Sequence, residues 1–332
     1  MRSFLVEMGE AVCDRAQDVL RSQAVESRTQ IHLKAGSDII YAIDHEAEHV
    51  IVQMMEERAA DFGGIVLVAE GIGAEEITTF PKGIEMEQAR WRIIMDPIDG
   101  TREIMYDKRP AWFLAGAAPN KGEITCLQDI EVSVMVEIPT TRMHIGDSLS
   151  AIRGKGAVAH RRNLLDGSCE SFQPTPYTGR SIRGGFAQIV RFFSPGKEVL
   201  SSIEEDMLDE LFPDAGEGEI LTFEDQYIST GGQFYEILTG KDRFTADIRK
   251  VLYDSLKGKV RGGHICHPYD LSSLLVAEEA GILITGVDGR SVNALMDTTL
   301  PIDWLAFANK DIFDEVYPVL RKLLEKYGLL VP

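Results

Sequence analysis

Positive charge is what this chain most lacks. Against 53 Asp and Glu it sets 34 Lys and Arg, a formal net charge of −19. The basic surface that nucleic acids and anionic membranes require is missing, and both are excluded as partners. Small anions held through a metal ion are not excluded. Cysteine is scarce as well: Cys13, Cys126, Cys169 and Cys266 are scattered without C-x-x-C spacing, which argues against a disulfide framework and for reduced thiols. No apolar run is long enough to span a bilayer, and residues 1–20 mix acids among their apolar positions without a signal-peptide core. Internal repeats and low-complexity segments are missing too. A cytoplasmic enzyme is the expectation.

What is present is an ordinary globular composition, 44% hydrophobic and 26% charged over 332 residues. That length exceeds one typical core, so two packed parts are expected. Apolar residues at Phe4, Met8, Val12, Ala16, Val19 and Leu20 predict an amphipathic helix over 4–25. Residues 37–43 are β-rich, and Asp44 falls at the N-cap of a second predicted helix over 46–62. Strands are predicted over 64–69, ending at Glu70, over 112–117, and over 130–138, where Val132, Val134 and Val136 alternate. Residues 153–157 read as a glycine hairpin, since they lack P-loop spacing. The stretch 161–218 is the least patterned, apart from an acidic helix over 197–212. Beyond it come a helix over 231–238, a strand over 243–248 and helical turns over 250–256. Asp270 is predicted to cap a helix over 271–280 that Gly281 stops, followed by strands at 282–285 and 304–308 and a closing helix over 311–327.

The most informative stretch is residues 91–101, W-R-I-I-M-D-P-I-D-G-T. Its apolar run predicts a strand that stops at Asp96, because Pro97 forbids helix and keeps Asp96 extended. Asp99 follows, and Gly100 permits close backbone approach, so the N–H groups of Gly100 and Thr101 can face an anion. Two acids beside an anion cradle repel phosphate unless cations intervene. Carboxylates plus phosphate oxygens form the ligand set of Mg²⁺, so the stretch points to a Mg²⁺-dependent phosphoryl site. A competing motif is His45-Glu46-Ala47-Glu48-His49, which fits the H-E-x-x-H pattern of zinc hydrolases. Its plainer reading is a solvated, polar helix start.

D-P-I-D-G-T at 96–101 together with P-Y-D-L-S-S-L-L-V-A-E-E-A-G at 268–281 resembles the two signatures of the inositol monophosphatase superfamily, Mg²⁺-dependent and often lithium-sensitive phosphatases. Residues 38–44 resemble the family's D-x-x-T-x-x-D stretch, Glu70 stands where its metal-binding glutamate is expected, and 153–157 resembles its G-x-G-A hairpin. The resemblance implies an α/β fold layered α-β-α-β-α. An α+β part over 1–160 would carry most metal ligands. An α/β part over 161–332 would carry Asp270 and a variable specificity segment, 161–218.

It further implies that Glu70, Asp96 and the carbonyl of Ile98 hold one Mg²⁺, while Asp96, Asp99 and Asp270 hold a second. Two or three ions per site are implied, with Mn²⁺ as a substitute and Li⁺ as an inhibitor. Gly100 and Thr101 would bind phosphate, and the Thr101 hydroxyl, oriented by Asp44, would help Glu70 position the attacking water. The implied reaction is hydrolysis of a small phosphate monoester without a phospho-enzyme, and the implied assembly is a homodimer.

Departures from the pattern bear on the substrate. Glu70 is followed by Gly71 where the family often has two adjacent acids, Glu75 and Glu76 being displaced. Tyr269 replaces the usual tryptophan, and Tyr41 the threonine. Gly263 stands where animal-type inositol phosphatases place an acid, which points away from myo-inositol phosphate. Lys257, Lys259 and Arg261, with His264 and His267, form a candidate site for a second anionic group, although a solvated loop is the plainer reading of such a run. Arg180, Arg183 and Arg191 are further candidates. An echo of fructose-bisphosphatases at 246–250 keeps sugar bisphosphates open, beside inositol phosphate, glycerol phosphate and nucleotide 3′-phosphates. From other classes stand a zinc hydrolase built on His45 and His49, and a silent homologue that only binds a phosphate ligand.

Overall fold

Apolar side chains sort into three buried clusters, and the elements between them form five layers. The computed structural model describes residues 1–22, 31–35, 38–73, 76–257 and 264–330. The outer helical layer is α1 (Arg2–Ser22) and α2 (Ala42–Arg58). On α1 the apolar positions recur every three to four residues and bury Phe4, Leu5, Met8, Val12 and Ala16. Ahead of α2 lies a hairpin of β1 (Ile31–Ala35) and β2 (Asp38–Tyr41).

The second layer is an eight-stranded sheet. Its strands are β3 (Ile65–Ala69), β4 (Ile77–Phe80), β5 (Trp91–Asp99), β6 (Ala111–Pro119), β7 (Val132–Ile138), β8 (Ile145–Ile152), β9 (Ala157–Asn163) and β10 (Cys169–Phe172). Their spatial order is β10-β9-β8-β7-β6-β5-β3-β4. All pairs are antiparallel except β3 with β5. After β5 comes the short helix α3 (Thr101–Met105).

The remaining chain builds a five-stranded sheet from β11 (Gly185–Ile189), β12 (Thr222–Phe223), β13 (Asp242–Asp247), β14 (Leu283–Thr285) and β15 (Trp304–Phe307), ordered β12-β11-β13-β15-β14. Its helices are α4 (Lys197–Leu211), α5 (Thr230–Leu238), α6 (Arg249–Ser255), α7 (Leu274–Glu279) and α8 (Lys310–Lys326). Between the sheets, α5 and α7 bury Phe234, Ile237, Leu274 and Leu275 against Trp112 and Leu114 on one side and Trp304 and Ala306 on the other. α4 and α8 cover the outer face of the small sheet through Leu200, Ile203, Ile312, Val316 and Leu320. The result is the α-β-α-β-α architecture of an α/β protein. Among the described residues, no helix is long and apolar enough to cross a membrane.

Several expectations are corrected. β7 is buried at all seven positions, so its alternation separates two covered faces rather than core from solvent. Asp44 lies in the first turn of α2 instead of capping it, because the helix begins at Ala42. β5 continues past Pro97 to Asp99. Asp270 caps no α-helix: it sits in a separate 3₁₀ turn, Pro268–Leu271, and α7 starts only at Leu274. The expected helix end at 23–25 lies outside the described residues.

The middle layer supports both sheets at once. Phe234 is 0% exposed, with its ring edge-on to Trp304 at 5.1 Å. Phe234→Ala should therefore cost about 3–5 kcal/mol of stability, read as a lowered urea midpoint at unchanged slope. A cost below about 1 kcal/mol would show that the layer is not shared in this way.

Candidate functional site

The site starts from a register. β3 and β5 run parallel with Ala69 paired to Met95, so the next residues, Glu70 just past the end of β3 and Asp96 within β5, lie side by side. On the other side of β5 the pairing with β6 steps from Asp96↔Leu114 to Asp99↔Trp112. Three residues of β5 thus oppose two of β6. A β-bulge at Pro97 and Ile98 supplies the extra residue, and Pro97, with no N–H to give a ladder, is tolerated there. In an unbulged strand, residues three apart point to opposite faces. The bulge brings Asp96 and Asp99 to one face.

Asp270 arrives from the 3₁₀ turn of the other half of the chain. Oxygens of Asp96, Asp99 and Asp270 all lie within 4.8 Å of one another. Asp96 and Asp99 are only 3% and 6% exposed, and Asp270 is partly open to the cavity. Each carboxylate is held by a backbone N–H: Ile98 N–H donates to Asp96 at 3.0 Å, Gly231 N–H to Asp99 at 2.6 Å, and His267 N–H to Asp270 at 2.7 Å. The Ser229 hydroxyl adds a bond to Asp99 at 2.8 Å and accepts from Gly232 N–H at 2.9 Å as the N-cap of α5. A Cβ on Gly231 would meet Leu114 at 2.6 Å and Asp99 at 3.2 Å, so glycine is required for this approach.

Burial dominates the electrostatics. It pushes the Asp96 carboxyl well above its ordinary value, and repulsion from Glu70, Asp99 and Asp270 raises it further. Burial lifts Asp99 to about 6 against the donors on α5. Burial and then Asp99 lift Asp270 to about 7, opposed by His267 N–H and the charge of Arg249. Glu70 enters as a neighbour of Asp96, which matches the strand register.

The carboxylates sit in a cavity of about 440 Å³ lined by residues of both halves of the chain. Asp44, Glu70, Ile98, Gly100, Thr101 and His264 are on its wall. The Thr101 hydroxyl lies 3.0 Å from Asp44 Oδ1 and 2.8 Å from the Ile98 carbonyl, and its single hydrogen serves one acceptor at a time. Gly100 has φ +95°, and a Cβ there would press on Ser229 at 3.2 Å. The cluster's oxygen-only donors, charge and close spacing suit hard divalent cations such as Mg²⁺, and its raised proton affinities are those of a site short of positive charge.

Other expected residues are placed elsewhere. His267 is not on the cavity wall; its ring stacks on Tyr269 with centroids 5.5 Å apart. Arg261, with Lys259 and Gly263, lies outside the described residues. Arg180 pairs with Asp311, Arg183 with Asp214 and Glu219, and Arg191 with Glu204 and Glu224, so these guanidiniums are engaged by protein carboxylates. In the zinc-like motif, Glu46 is held by Arg15 and His49 Nδ1 lies 2.9 Å from the His45 carbonyl. Among the described residues, no third metal-capable side chain joins the two histidines.

Sequence reasoning missed Ser229 and Gly231 as support for Asp99, and undervalued Glu76. Glu76 returns to the cavity five residues after Gly71, with φ +59° and its Oε1 3.3 Å from Gly71 N. Ser229-Thr230-Gly231-Gly232 was the available signal for the Asp99 support, a capping serine followed by two glycines.

A scan of protein-family models and a search of curated protein sequences each found no match. Solved structures do match over nearly the whole chain. The IMPase of Thermotoga maritima aligns with TM-score 0.60 at 17% identity, covering 98% of each chain. The extragenic suppressor protein SuhB of Bartonella henselae gives 0.64 at 16%, covering 96% of this chain and 98% of that one. Leishmania major fructose-1,6-bisphosphatase gives 0.65 at 11%, covering 97% and 94%. At such identities the likeness is one of architecture, and it agrees with the layers and sheet orders above: the chain has the fold of the inositol monophosphatase superfamily.

Proposed function

We propose that the chain is a Mg²⁺-dependent phosphatase that hydrolyses a small phosphate monoester by direct attack of water. The observation that carries this reading is the carboxylate triad Asp96, Asp99 and Asp270, with oxygens within 4.8 Å on the wall of an open cavity. Similarity in fold to proteins described as inositol monophosphatase and fructose-1,6-bisphosphatase supports it. Glu70, Asp96 and the Ile98 carbonyl would hold one ion, and Asp96, Asp99 and Asp270 another, Asp96 being shared. Bound divalent ions would neutralise the triad, attract the phosphate and lower the pKa of a coordinated water.

The remaining chemistry belongs to the chain. Glu70, half-buried beside Asp96, accepts the proton of the attacking water. Thr101, bonded to Asp44, directs a lone pair of its hydroxyl at that water. The N–H groups of Gly100 and Thr101 face the phosphate oxygens, where the left-handed turn at Gly100 opens the backbone. In this reading residues 1–160 supply Asp44, Glu70, Asp96, Asp99 and Thr101, and residues 161–332 supply Asp270.

Removing the shared carboxylate should be the severest change. Asp96→Asn is expected to lower Mg²⁺-dependent phosphate release by several orders of magnitude, since metal stabilisation of transition-state charge is worth several kcal/mol. A panel of phosphate esters with wild type and variant tests it, and a wild type inactive on the whole panel would favour a silent ligand-binding homologue. Thr101→Ala and Asp44→Asn should each lower kcat by about a hundredfold. Because Asp44 acts through Thr101, the double variant should fall no further than Thr101→Ala alone; additive losses would separate the two roles.

A pH dependence follows from the carboxyls. Asp99 at about 6 and Asp270 at about 7 are raised above the unfolded value, which is about 3.9. Their favourable contribution is present below that unfolded value and is lost as pH rises through about 6 to 7. Mg²⁺ takes the place of those protons, so its stabilising effect should grow with pH. Thermal melts in chelator and in excess Mg²⁺ should show a larger Mg²⁺ shift at about pH 8 than at about pH 5.5. Equal shifts at both would contradict the assignment.

A further inference from the structure

The same cavity has a second lining, chemically unlike the first. Phe192 and Phe193 both lie on its wall, with rings perpendicular and centroids 4.8 Å apart. Phe193 meets His264 edge-on at 5.4 Å. The Arg249 guanidinium stands over Phe192 at 4.7 Å and over Phe193 at 5.5 Å. Arg249 is only 4% exposed. Its Nε and Nη2 donate to the two oxygens of Asp247 at 2.8 and 2.5 Å, and its Nη1 to the His264 carbonyl at 2.8 Å. Its charge is thus spent within the protein, and its role at the cavity is to hold the two rings by cation–π contact. Ile228 and Ile265 extend the carbon surface.

We infer that Phe192 and Phe193 form a shelf for the leaving alcohol of the substrate, selecting an alcohol with a flat unsaturated face, a nucleoside or an aryl group, over a polyol. The inference rests on the phosphatase reading for the reaction and on the aromatic wall for the specificity. A polyol set against this wall would lose water from hydroxyls that carbon cannot replace. A planar ring would instead gain stacking on aromatics already held in place, with little conformational freedom left to lose. The pair falls within residues 161–218, the segment expected from the sequence to govern specificity.

The experiment uses the full chain with Mg²⁺ and three kinds of ester: the 2′-, 3′- and 5′-monophosphates of adenosine, naphthyl phosphate, and glycerol phosphate. In Phe193→Ala the ratio of kcat/KM for the best planar ester to that for glycerol phosphate should fall by about tenfold to a hundredfold, most of it in KM. Phe193→Leu, which keeps apolar volume and protects the fold, should lower the ratio by a smaller factor, as should Phe192→Leu. A fall for the adenosine esters alone assigns the shelf to nucleosides, and a fall for naphthyl phosphate alone assigns it to aryl alcohols. An unchanged ratio in the folded variants overturns the inference. If wild type hydrolyses none of the esters, the phosphatase reading fails separately. The shelf is then judged by calorimetric binding of the adenosine monophosphates in Mg²⁺, where about tenfold weaker binding to Phe193→Leu supports it and unchanged or undetectable binding overturns it.

Discussion

Like charge forced into a small volume is the constraint on which the rest of this structure depends. Asp96, Asp99 and Asp270 are brought within 4.8 Å with Glu70 beside them, and the charge of Arg249 offsets part of the repulsion at Asp270. Buried carboxylates so placed either bind protons or bind metal. Every local device around them fixes where the negative charge sits without removing it. The bulge in β5 turns Asp99 to the face of Asp96, α5 presents Ser229 and Gly231 N–H to Asp99, and the 3₁₀ turn aims His267 N–H at Asp270. These donors orient the oxygens and leave the net charge in place.

The five layers serve that arrangement. A strand end alone could supply Glu70, Asp96 and Asp99, since β3 and β5 are neighbours. Asp270 and the donors to Asp99 come from elements that pack in the middle layer, between the two sheets. Apolar packing of Phe234, Leu274 and Trp304 therefore holds the charges together against their repulsion. Hydrophobic burial, unlike a surface ion pair, is not weakened by salt, which suits it to a site that must retain its geometry at varied ionic strength.

Positive charge is distributed to the same end. Arg180, Arg183, Arg191 and Arg249 each pair with carboxylates of the protein. The cavity consequently keeps an acidic wall that demands cations and an aromatic wall beside which the Arg249 guanidinium is already satisfied. An anionic substrate would be drawn in through metal and held at its other end by carbon surface.

Much of this was legible in the chain. The pattern D-P-I-D-G-T, the acid after strand 65–69 and the acid before helix 274–279 are local signals, because strand ends, glycine turns and proline breaks follow from short-range sterics. Most elements follow from hydrophobic period, which the burial of α1 and α8 bears out, whereas the layered α/β class was implied by the family resemblance. The caps assigned to Asp44 and Asp270 failed on local boundaries: α2 already begins at Ala42, and Asp270 belongs to a 3₁₀ turn that ends before α7 starts, which leaves Asp44 to Thr101 and Asp270 to the carboxylate cluster. Pro97 was read as an end to β5, whereas pairing with β6 carries the strand through a bulge. The sequence offered a capping serine and two glycines at 229–232, but not their meeting with Asp99 across 130 and 132 positions, nor the placing of Phe192 and Phe193 on the same cavity. The sequence by itself determined which carboxylates and backbone donors are available for chemistry, since residue type and local backbone freedom decide that. Only the tertiary structure decided which of them meet, because contacts between distant segments depend on how two sheets and the helices between them pack, a property no local pattern contains.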